Sequence, residues 1–321
     1  MNPLPEALEG SRGARENILE RGGDLHLLEH LRDLGYPVIR MVQSIGNPVL
    51  DLVAMAATFL GTEAFFLIFI PVYYWCVDKR HGVRLAMVFL FSVYLNSFFK
   101  ELFKVPRPDP SLVRVLWASS GGGYSFPSGH AQNAVVFWGW LGRRMPWRRR
   151  PGILAGVVLA ISLSRIYLGL HFLHDVLGGW FLGGALLAIL VMVDRRVSRE
   201  PKGWEGKMVP WLGILLPLPL MELSTTKVQA MVSGAIMGFC AGYMIETRYV
   251  HFSPGGSRRE HLSKLLLGGA LGGIMGLFLK RAFPIGLQWD FITHAILGCW
   301  VSLGLPFLYN KISWAKGASR A

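Results

Sequence analysis

Three short polar groups lie at the ends of long apolar runs, and their residue types are those that handle phosphate. They are KELFKVPRP (100–108), PSGH (127–130) and SRIYLGLHFLHD (164–175). Lysine and arginine bind phosphate oxygens, and arginine can do so in a bidentate manner. A turn that opens a helix adds unpaired backbone amides, and a histidine beside a carboxylate can take part in group transfer. Together the groups predict a site for a phosphoryl group.

Single side chains within these groups divide into binding residues and reacting residues. His171 and Asp175 are four residues apart on a predicted helix, so the carboxylate can hold and orient the imidazole. His130 can act as a proton donor, while His174 adjoins Asp175 and could compete for it. No metal ligand set and no cofactor site is expected. The residues predicted to bind phosphate are Lys100, Arg107, Ser128, Gly129 and Arg165.

The elements that must position these groups are membrane helices. The chain of 321 residues is 52% hydrophobic and 17% charged, and its apolar residues form long runs. Such runs predict an all-α fold, a polytopic membrane helical bundle with a core of about five or six spans and about four extra C-terminal spans. The candidate spans are 62–77, 84–103, 129–142, 152–169, 175–194, 209–223, 228–246, 265–283 and 290–309.

The net charge of +13 reflects topology rather than a nucleic-acid partner. Basic clusters occupy the short connections 79–84, 143–150 and 195–199, as expected of cytoplasmic loops, and no nucleic-acid-binding motif is recognisable. Alternating the spans then places all three polar groups at the outer face. Lys227 and the pair Lys280-Arg281 are exceptions, because they also fall outside.

Composition divides the chain into three parts. Residues 1–44 form a polar N-terminal lead-in that is expected at the membrane interface, and residues 45–204 form the core with the three polar groups. Residues 205–321 form an additional transmembrane region of unknown role, which could mediate a homodimer. Its glycine-rich stretch 265–278 suits close packing of helices.

The same three groups carry a family resemblance. Lys100-x6-Arg107-Pro108, Pro127-Ser128-Gly129-His130 and Ser164-Arg165-x5-His171-x3-Asp175 resemble the three signatures of the type 2 phosphatidic acid phosphatase superfamily, which shares its site with vanadium haloperoxidases. The resemblance implies a metal-independent phosphatase that works through a phosphohistidine. By the same resemblance His171 is the nucleophile, Asp175 its partner and His130 the acid for the leaving oxygen.

The resemblance and the charge distribution together predict an integral membrane lipid phosphatase in the plasma membrane, and the charge distribution places its site at the periplasmic or extracellular face. Its substrate would be a lipid phosphate held in the bilayer: undecaprenyl diphosphate, phosphatidylglycerol phosphate, phosphatidate or a sphingoid-base phosphate. The stretch 61–75, GTEAFFLIFIPVYYW, is also similar to the sphingosine-phosphate phosphatase branch. A lipid phosphotransferase using the same site, and a non-catalytic lipid transporter or scaffold, stay open as alternatives.

Overall fold

The fold of the chain is entirely helical within the residues described by the computed structural model, which are 32–143, 151–199 and 211–318. In chain order the helices are α1 (32–43), α2 (Pro48–Phe59), α3 (Glu63–Cys76), α4 (Lys79–Phe103), α5 (Gly129–Leu141), α6 (Pro151–Tyr167), α7 (Leu173–Arg199), α8 (Trp211–Glu222), α9 (Lys227–Ile245), α10 (Arg258–Ala282), α11 (Leu287–Cys299) and α12 (Leu305–Ala318). This confirms the prediction of an all-α fold.

Polar side chains fix where several helices begin. Asn47, Thr62 and Asp78 precede α2, α3 and α4, and each accepts a hydrogen bond from backbone amides of the first turn. Thr226 and Gln229 form a capping box at the start of α9, in which each side chain satisfies the other residue's backbone amide. These caps provide partners for amides that would otherwise be unpaired at the helix ends.

Within the described parts of the chain, five helical segments are long and apolar enough to cross a membrane, which confirms a multi-pass membrane protein. They are α4, α7, α9 with its π-helical extension to Val250, α10, and the continuous helix Leu287–Ile312 that joins α11 to α12. α2 and α3 pass the same test together but are bent by 50° between Phe59 and Glu63, so they form a broken span or a re-entrant loop. α6 and α8 are shorter apolar helices.

Aromatic side chains hold the core of the bundle. Phe66 of α3 lies between Phe89 of α4 and Phe137 of α5, with ring centroids 4.2 and 4.6 Å away. All three rings are buried. α5 also packs against α6 and α7, so the helix that begins within PSGH is surrounded by the helices that carry the other two polar groups.

The loop 104–128 is held in place by α1. Gln43 donates hydrogen bonds to the carbonyls of Arg114 (2.7 Å) and Tyr167 (2.9 Å), and the amide of Asp109 donates to the Tyr36 hydroxyl at 3.2 Å. Arg114 also makes a bidentate pair with Asp51 of α2. Residues 1–31 of the predicted lead-in lie outside the described residues. The part that is described braces the loop over the polar groups, a role that the sequence did not suggest.

The C-terminal helices pack closely on one another and on the core. Gly234 and Gly238 of α9 lie against backbone carbonyls of α11, at Phe291 and Ala295, where an added Cβ atom would clash. Trp75 of α3 donates a hydrogen bond to the Val301 carbonyl at 2.8 Å. The stretch 265–278 approaches neighbouring side chains most closely at two of its glycines, whereas nothing among the described residues lies near two others. The close pair is Gly268 and Gly272, and the open pair is Gly269 and Gly273.

Candidate active site

A cavity of about 390 Å³ lies where the three polar groups meet. Of the predicted site residues, Lys100, Arg107, Gly129, His130 and His171 line this cavity. The other three predicted residues, Ser128, Arg165 and Asp175, are buried directly behind its walls. The structure therefore brings together residues from α4, the loop 104–128, α5 and the α6–α7 connection, which are up to 75 positions apart in the sequence.

His171 is positioned by the carboxylate of Asp175. The two side chains are buried, and Nδ1 of His171 lies 3.3 Å from Oδ2 of Asp175. Ser125 donates a hydrogen bond to the same oxygen and lies 3.3 Å from Nδ1, while the amide of Phe172 donates to it at 2.8 Å. With Nδ1 on the carboxylate side, the other ring nitrogen, Nε2, is directed to the cavity side.

Burial and nearby cations keep the His171 imidazole neutral. Desolvation lowers the pKa of His171 well below its usual 6.5, and the charge of Arg107 lowers it further. Because the neutral ring has a free lone pair on one nitrogen, this environment favours a histidine that can act as a nucleophile near neutral pH.

The guanidinium of Arg107 is held by backbone carbonyls beside His171. It donates to Gly123 (2.9 Å), Gly122 (2.8 Å) and Leu170 (2.7 Å), and Nη1 lies 3.1 Å from Nε2 of His171. The α4 helix ends at Phe103, so Arg107 is carried by the following loop. A cation fixed at this distance from the imidazole can neutralise an oxygen of a group bound to Nε2.

Arg165 is fully buried in α6 and is anchored to the loop that covers the cavity. Its two terminal nitrogens donate to the hydroxyl and the carbonyl of Ser120, both at 3.0 Å. Its Nε atom has no partner within the described residues. Arg165 therefore adds a positive charge behind the cavity and also fixes a Ser120 that lines it.

The start of α5 combines close packing with unpaired donors. The Ser128 amide donates to the carbonyl of Asp175 at 2.9 Å, which joins the PSGH turn to α7. The first intrahelical bond runs from the Gln132 amide to the Ser128 carbonyl, so the amides between them precede the hydrogen-bonded ladder. A Cβ atom at Gly129 would lie 2.8 Å from Oδ1 of Asn96, so a larger residue here would have to displace that buried side chain.

Two polar side-chain atoms at this helix start are buried without a hydrogen-bond partner among the described residues: Oγ of Ser128 and Nε2 of His130. Burial of a polar atom without a partner is costly, so such atoms mark places where a ligand can bind. Gly61 lies against His130, since a Cβ atom there would be 3.0 Å from Cδ2 of the ring. The beginning of the stretch 61–75 thus touches the predicted acid.

His174 does contact Asp175, as the sequence suggested it could. Its Nε2 lies 3.3 Å from Oδ1, whereas His171 and Ser125 share Oδ2. The two histidines therefore occupy opposite oxygens of the carboxylate, and His174 does not displace His171. Its ring stacks on Phe172, with centroids 5.3 Å apart, outside the set of cavity-lining residues.

Several residues of the site carried no functional prediction. Ser125 and Ser120 lie in the loop 104–128 and bind Asp175 and Arg165, respectively. A single serine near a motif is too common to be singled out from one sequence. The cavity wall also contains residues from α3, α4 and α9 whose roles depend on long-range packing: Glu63, Asn96, Glu101, Thr226 and Lys227.

The fold and the site define a polytopic membrane protein with a cation-lined cavity suited to a phosphate group. The chain belongs to the PAP2 superfamily, which matches residues 81–199, and the transmembrane extension of PAP2 superfamily phosphatases matches residues 230–317. Membership of the superfamily, inferred above from three motifs, is thereby confirmed.

Similar proteins act on different lipid phosphates. The chain is 32% identical to phosphatidylglycerophosphatase B of Bacillus subtilis over 48% of its length and 80% of the relative. It is 32% identical to dihydrosphingosine 1-phosphate phosphatase of Schizosaccharomyces pombe, covering 59% of this chain and 50% of that one. It is 27% identical to mouse sphingosine-1-phosphate phosphatase 2, covering 58% and 57%. The chain thus spans about half the length of these last two relatives.

A solved structure also aligns with part of the chain. The crystal structure of a transmembrane PAP2 type phosphatidylglycerolphosphate phosphatase from Bacillus subtilis aligns with 25% identity and a TM-score of 0.45. The alignment covers 55% of this chain and 96% of that chain.

Proposed function

We propose that the chain is an integral membrane lipid phosphatase that works through a phosphohistidine on His171. The observation that carries this proposal is a buried imidazole whose Nδ1 is held by Asp175 and whose Nε2 lies 3.1 Å from Arg107 at a cation-lined cavity. This arrangement leaves one nitrogen to attack a phosphorus atom while the other is kept in its protonated, oriented form.

The first step transfers the phosphoryl group to the enzyme. The Nε2 lone pair of His171 forms a bond to phosphorus as the bond from phosphorus to the lipid oxygen breaks. His130 donates a proton to that oxygen, and the lipid leaves as an alcohol, or as a monophosphate if the substrate is a diphosphate. Lys100, Arg107 and Arg165 stabilise the negative charge on the phosphoryl oxygens, together with Ser128 and the amides that begin α5.

The second step returns the enzyme to its starting state. A water molecule attacks phosphorus on the His171 adduct, and neutral His130 takes a proton from it. The bond between phosphorus and Nε2 breaks, its electron pair returns to the imidazole, and inorganic phosphate is released. The three cations provide the charge stabilisation that magnesium supplies in many other phosphoryl transfer enzymes, so the proposed mechanism needs no metal.

One assay tests the proposal as a whole. Purified protein in mixed micelles is offered a panel of lipid phosphates, and inorganic phosphate release is measured with EDTA present. We expect release that persists in EDTA and is inhibited by vanadate. A strict requirement for added magnesium would contradict the mechanism, and phosphate recovered on an added alcohol rather than in water would favour the phosphotransferase. Binding of lipid phosphates without any turnover would favour a transporter or scaffold.

We further propose that the site opens to the outer face of the plasma membrane, on the strength of the basic connections on the opposite side. Ser111 and Ser119 are exposed in the loop 104–128, and Arg195 is exposed near the end of α7. In a cysteine-free background, cysteines at the two serine positions should react with an impermeant thiol reagent in intact cells. A cysteine at Arg195 should react only after permeabilisation. The reverse pattern would contradict the proposed orientation.

The relatives leave the lipid and the assembly open. They are named for phosphatidylglycerophosphate and for sphingoid-base phosphates, so both remain candidate substrates. A homodimer through the C-terminal spans stays a prediction. Light scattering tests it by measuring the mass of the protein in detergent.

A further inference from the structure

The two oxygens of the Asp175 carboxylate are held unequally. Oδ2 accepts hydrogen bonds from the Ser125 hydroxyl at 2.5 Å and from the Phe172 amide at 2.8 Å, while Nδ1 of His171 lies 3.3 Å away. Oδ1 lies 3.3 Å from Nε2 of His174. Among these contacts, the shortest one to the carboxylate is therefore made by Ser125 and not by the imidazole that the carboxylate orients.

The contact between Asp175 and His171 is long for a hydrogen bond. N–H···O bonds in proteins most often measure about 2.9–3.0 Å. The two oxygens near Nδ1 of His171, Oδ2 of Asp175 and Oγ of Ser125, both lie 3.3 Å from it. Contacts of this length constrain the ring only weakly, so the direction of the imidazole depends on where the carboxylate itself is held.

The hydroxyl of Ser125 can hold the carboxylate because its proton has one destination. An ionised carboxylate only accepts hydrogen bonds, so the single hydroxyl proton of Ser125 is donated to Oδ2 of Asp175. A hydrogen bond to a charged acceptor is shorter and stronger than one between neutral groups. Ser125 therefore fixes the oxygen that faces the imidazole.

The main chain keeps Ser125 in this place. Its side chain is fully buried, and its amide donates to the Val105 carbonyl at 2.7 Å. Three residues further on, the Ser128 amide donates to the Asp175 carbonyl at 2.9 Å. The segment 125–128 is thus bonded to the loop after α4 at one end and to α7 at the other, which gives the hydroxyl a defined position.

A second buried serine shows what a hydroxyl with a structural role does. The Ser162 hydroxyl of α6 accepts a hydrogen bond from Nε1 of Trp180 at 2.8 Å, which joins α6 to α7. The Ser125 hydroxyl makes hydrogen bonds only with Asp175 and His171 among the described residues. Its partners are the two side chains assigned to the reaction, which points to a role in the reaction rather than in the fold.

We propose that Ser125 is a positioning residue for phosphoryl transfer: its hydroxyl holds Oδ2 of Asp175 toward Nδ1 of His171 and thereby keeps Nε2 aimed at phosphorus. This inference rests on the proposed phosphatase function. As Nε2 forms its bond to phosphorus, the imidazole becomes cationic, and the Nδ1 proton stays on nitrogen while its attraction to the carboxylate increases. A carboxylate that already points at Nδ1 stabilises this charge without reorganising.

The test combines three variants with a matched control. Ser125→Ala removes the hydroxyl, Asp175→Ala removes the carboxylate, and the double variant removes both. The control Ser162→Ala removes a hydroxyl that is equally buried but bonded to Trp180. The substrate is ³²P-labelled sphinganine 1-phosphate or phosphatidylglycerophosphate, whichever wild type turns over faster. kcat and KM are measured from phosphate release, followed over hours for slow variants, together with the melting temperature of each protein.

We expect Ser125→Ala to lower kcat roughly ten- to hundredfold, as for loss of a hydrogen bond to a charged group, with KM changed by about twofold or less. Ser162→Ala should lower kcat by about threefold or less. The loss in the double variant should match that of Asp175→Ala within about threefold, because the hydroxyl acts through a carboxylate that is no longer there.

Several results would overturn the inference while leaving the phosphatase intact. They are a wild-type kcat in Ser125→Ala, an equal loss in Ser162→Ala, and losses that multiply in the double variant. If Ser125→Ala does not fold, Ser125→Cys replaces it, because a thiol is a weaker donor of similar shape. A wild-type kcat in that folded variant would count equally against the inference. Absence of phosphate release by wild type would instead contradict the proposed phosphatase function itself.

Discussion

Buried charges are treated differently in the two halves of the bundle. In the C-terminal half, Glu246 accepts two hydrogen bonds from Lys79 at 2.9 Å, and Lys264 donates to the carbonyls of residues 253–255. In the core, the Nε2 of His130 and the Nε of Arg165 are buried with no partner in the described residues. Satisfied charges stabilise a fold, whereas unsatisfied ones mark a site that a ligand completes. The comparison assigns Glu246 and Lys264 to the fold and supports the proposal that His130 and Arg165 belong to a site.

Replacing the predicted nucleophile should have the largest effect. His171→Ala should lower kcat by at least about ten-thousandfold, because removing the residue that forms the covalent intermediate leaves only binding and charge stabilisation. His174→Ala is the matched control, since His174 contacts the other oxygen of the same carboxylate. The fall in kcat for His174→Ala should be tenfold or less, measured as phosphate release at saturating lipid. Similar losses in the two variants would remove the distinction between the two histidines.

Replacing the predicted acid should have an effect that depends on the leaving group. His130→Ala should slow cleavage of an alkyl phosphate by roughly a hundred- to ten-thousandfold, since a poor leaving group needs a proton. Cleavage of an activated aryl phosphate should fall much less. The ratio of kcat/KM values for the two substrates measures the difference. An equal loss on both would assign His130 to phosphate binding alone.

Changing a glycine in the C-terminal half should affect stability rather than chemistry. A methyl group at Gly238 would meet the Ala295 carbonyl, so Gly238→Ala should cost about 1–3 kcal/mol and lower the melting temperature by about 5 °C. Gly273→Ala is the control, because nothing among the described residues lies near that position. The melting temperatures of the two variants are measured by thermal unfolding in detergent, with intrinsic fluorescence as the signal. A large loss of turnover per folded molecule in Gly238→Ala would give this half a direct part in catalysis.

The smallest expected effect concerns the point where the two halves meet. Lys227 reaches the cavity mouth but is exposed and paired with Asp290, and exposed ion pairs contribute little. Lys227→Ala should therefore raise KM by about fivefold or less without changing kcat. Lys280→Ala, an exposed lysine at the end of α10, should change neither constant. A large fall in kcat for Lys227→Ala would place the C-terminal half within the reactive site.

The sequence predicted the parts of the site that are local in the chain. The pairing of His171 with Asp175 and the PSGH turn could be predicted from the sequence, because helix geometry relates neighbouring residues directly. The bend between α2 and α3 could not be predicted from the sequence, because the two parts of a broken span have the same composition as two separate short apolar helices. The contact of Ser125 with Asp175 depends on how the loop 104–128 folds back onto α7, over a separation of 50 residues. Such contacts arise from packing, which no local pattern encodes.

Lys227 shows how a structural position can account for an exception in the sequence. It violates the charge rule for membrane loops, and snorkelling was a sufficient explanation from the sequence alone. The structure places it at the mouth of the cavity, next to the capped start of α9. Thr226 at this start contacts Ser97 of α4 at 2.9 Å, which joins the C-terminal half to the core. The position of Lys227 at the cavity mouth follows from the packing of α9 on α4, which the sequence does not reveal.

Trapping of the covalent intermediate tests the central claim most directly. Protein mixed briefly with a ³²P-labelled lipid phosphate is quenched in alkali, digested and analysed by mass spectrometry. The account predicts an acid-labile, alkali-stable phosphoryl group on the peptide that contains His171, formed at least as fast as turnover and absent from His171→Ala. Label on another residue, or full turnover in His171→Ala, would contradict the account.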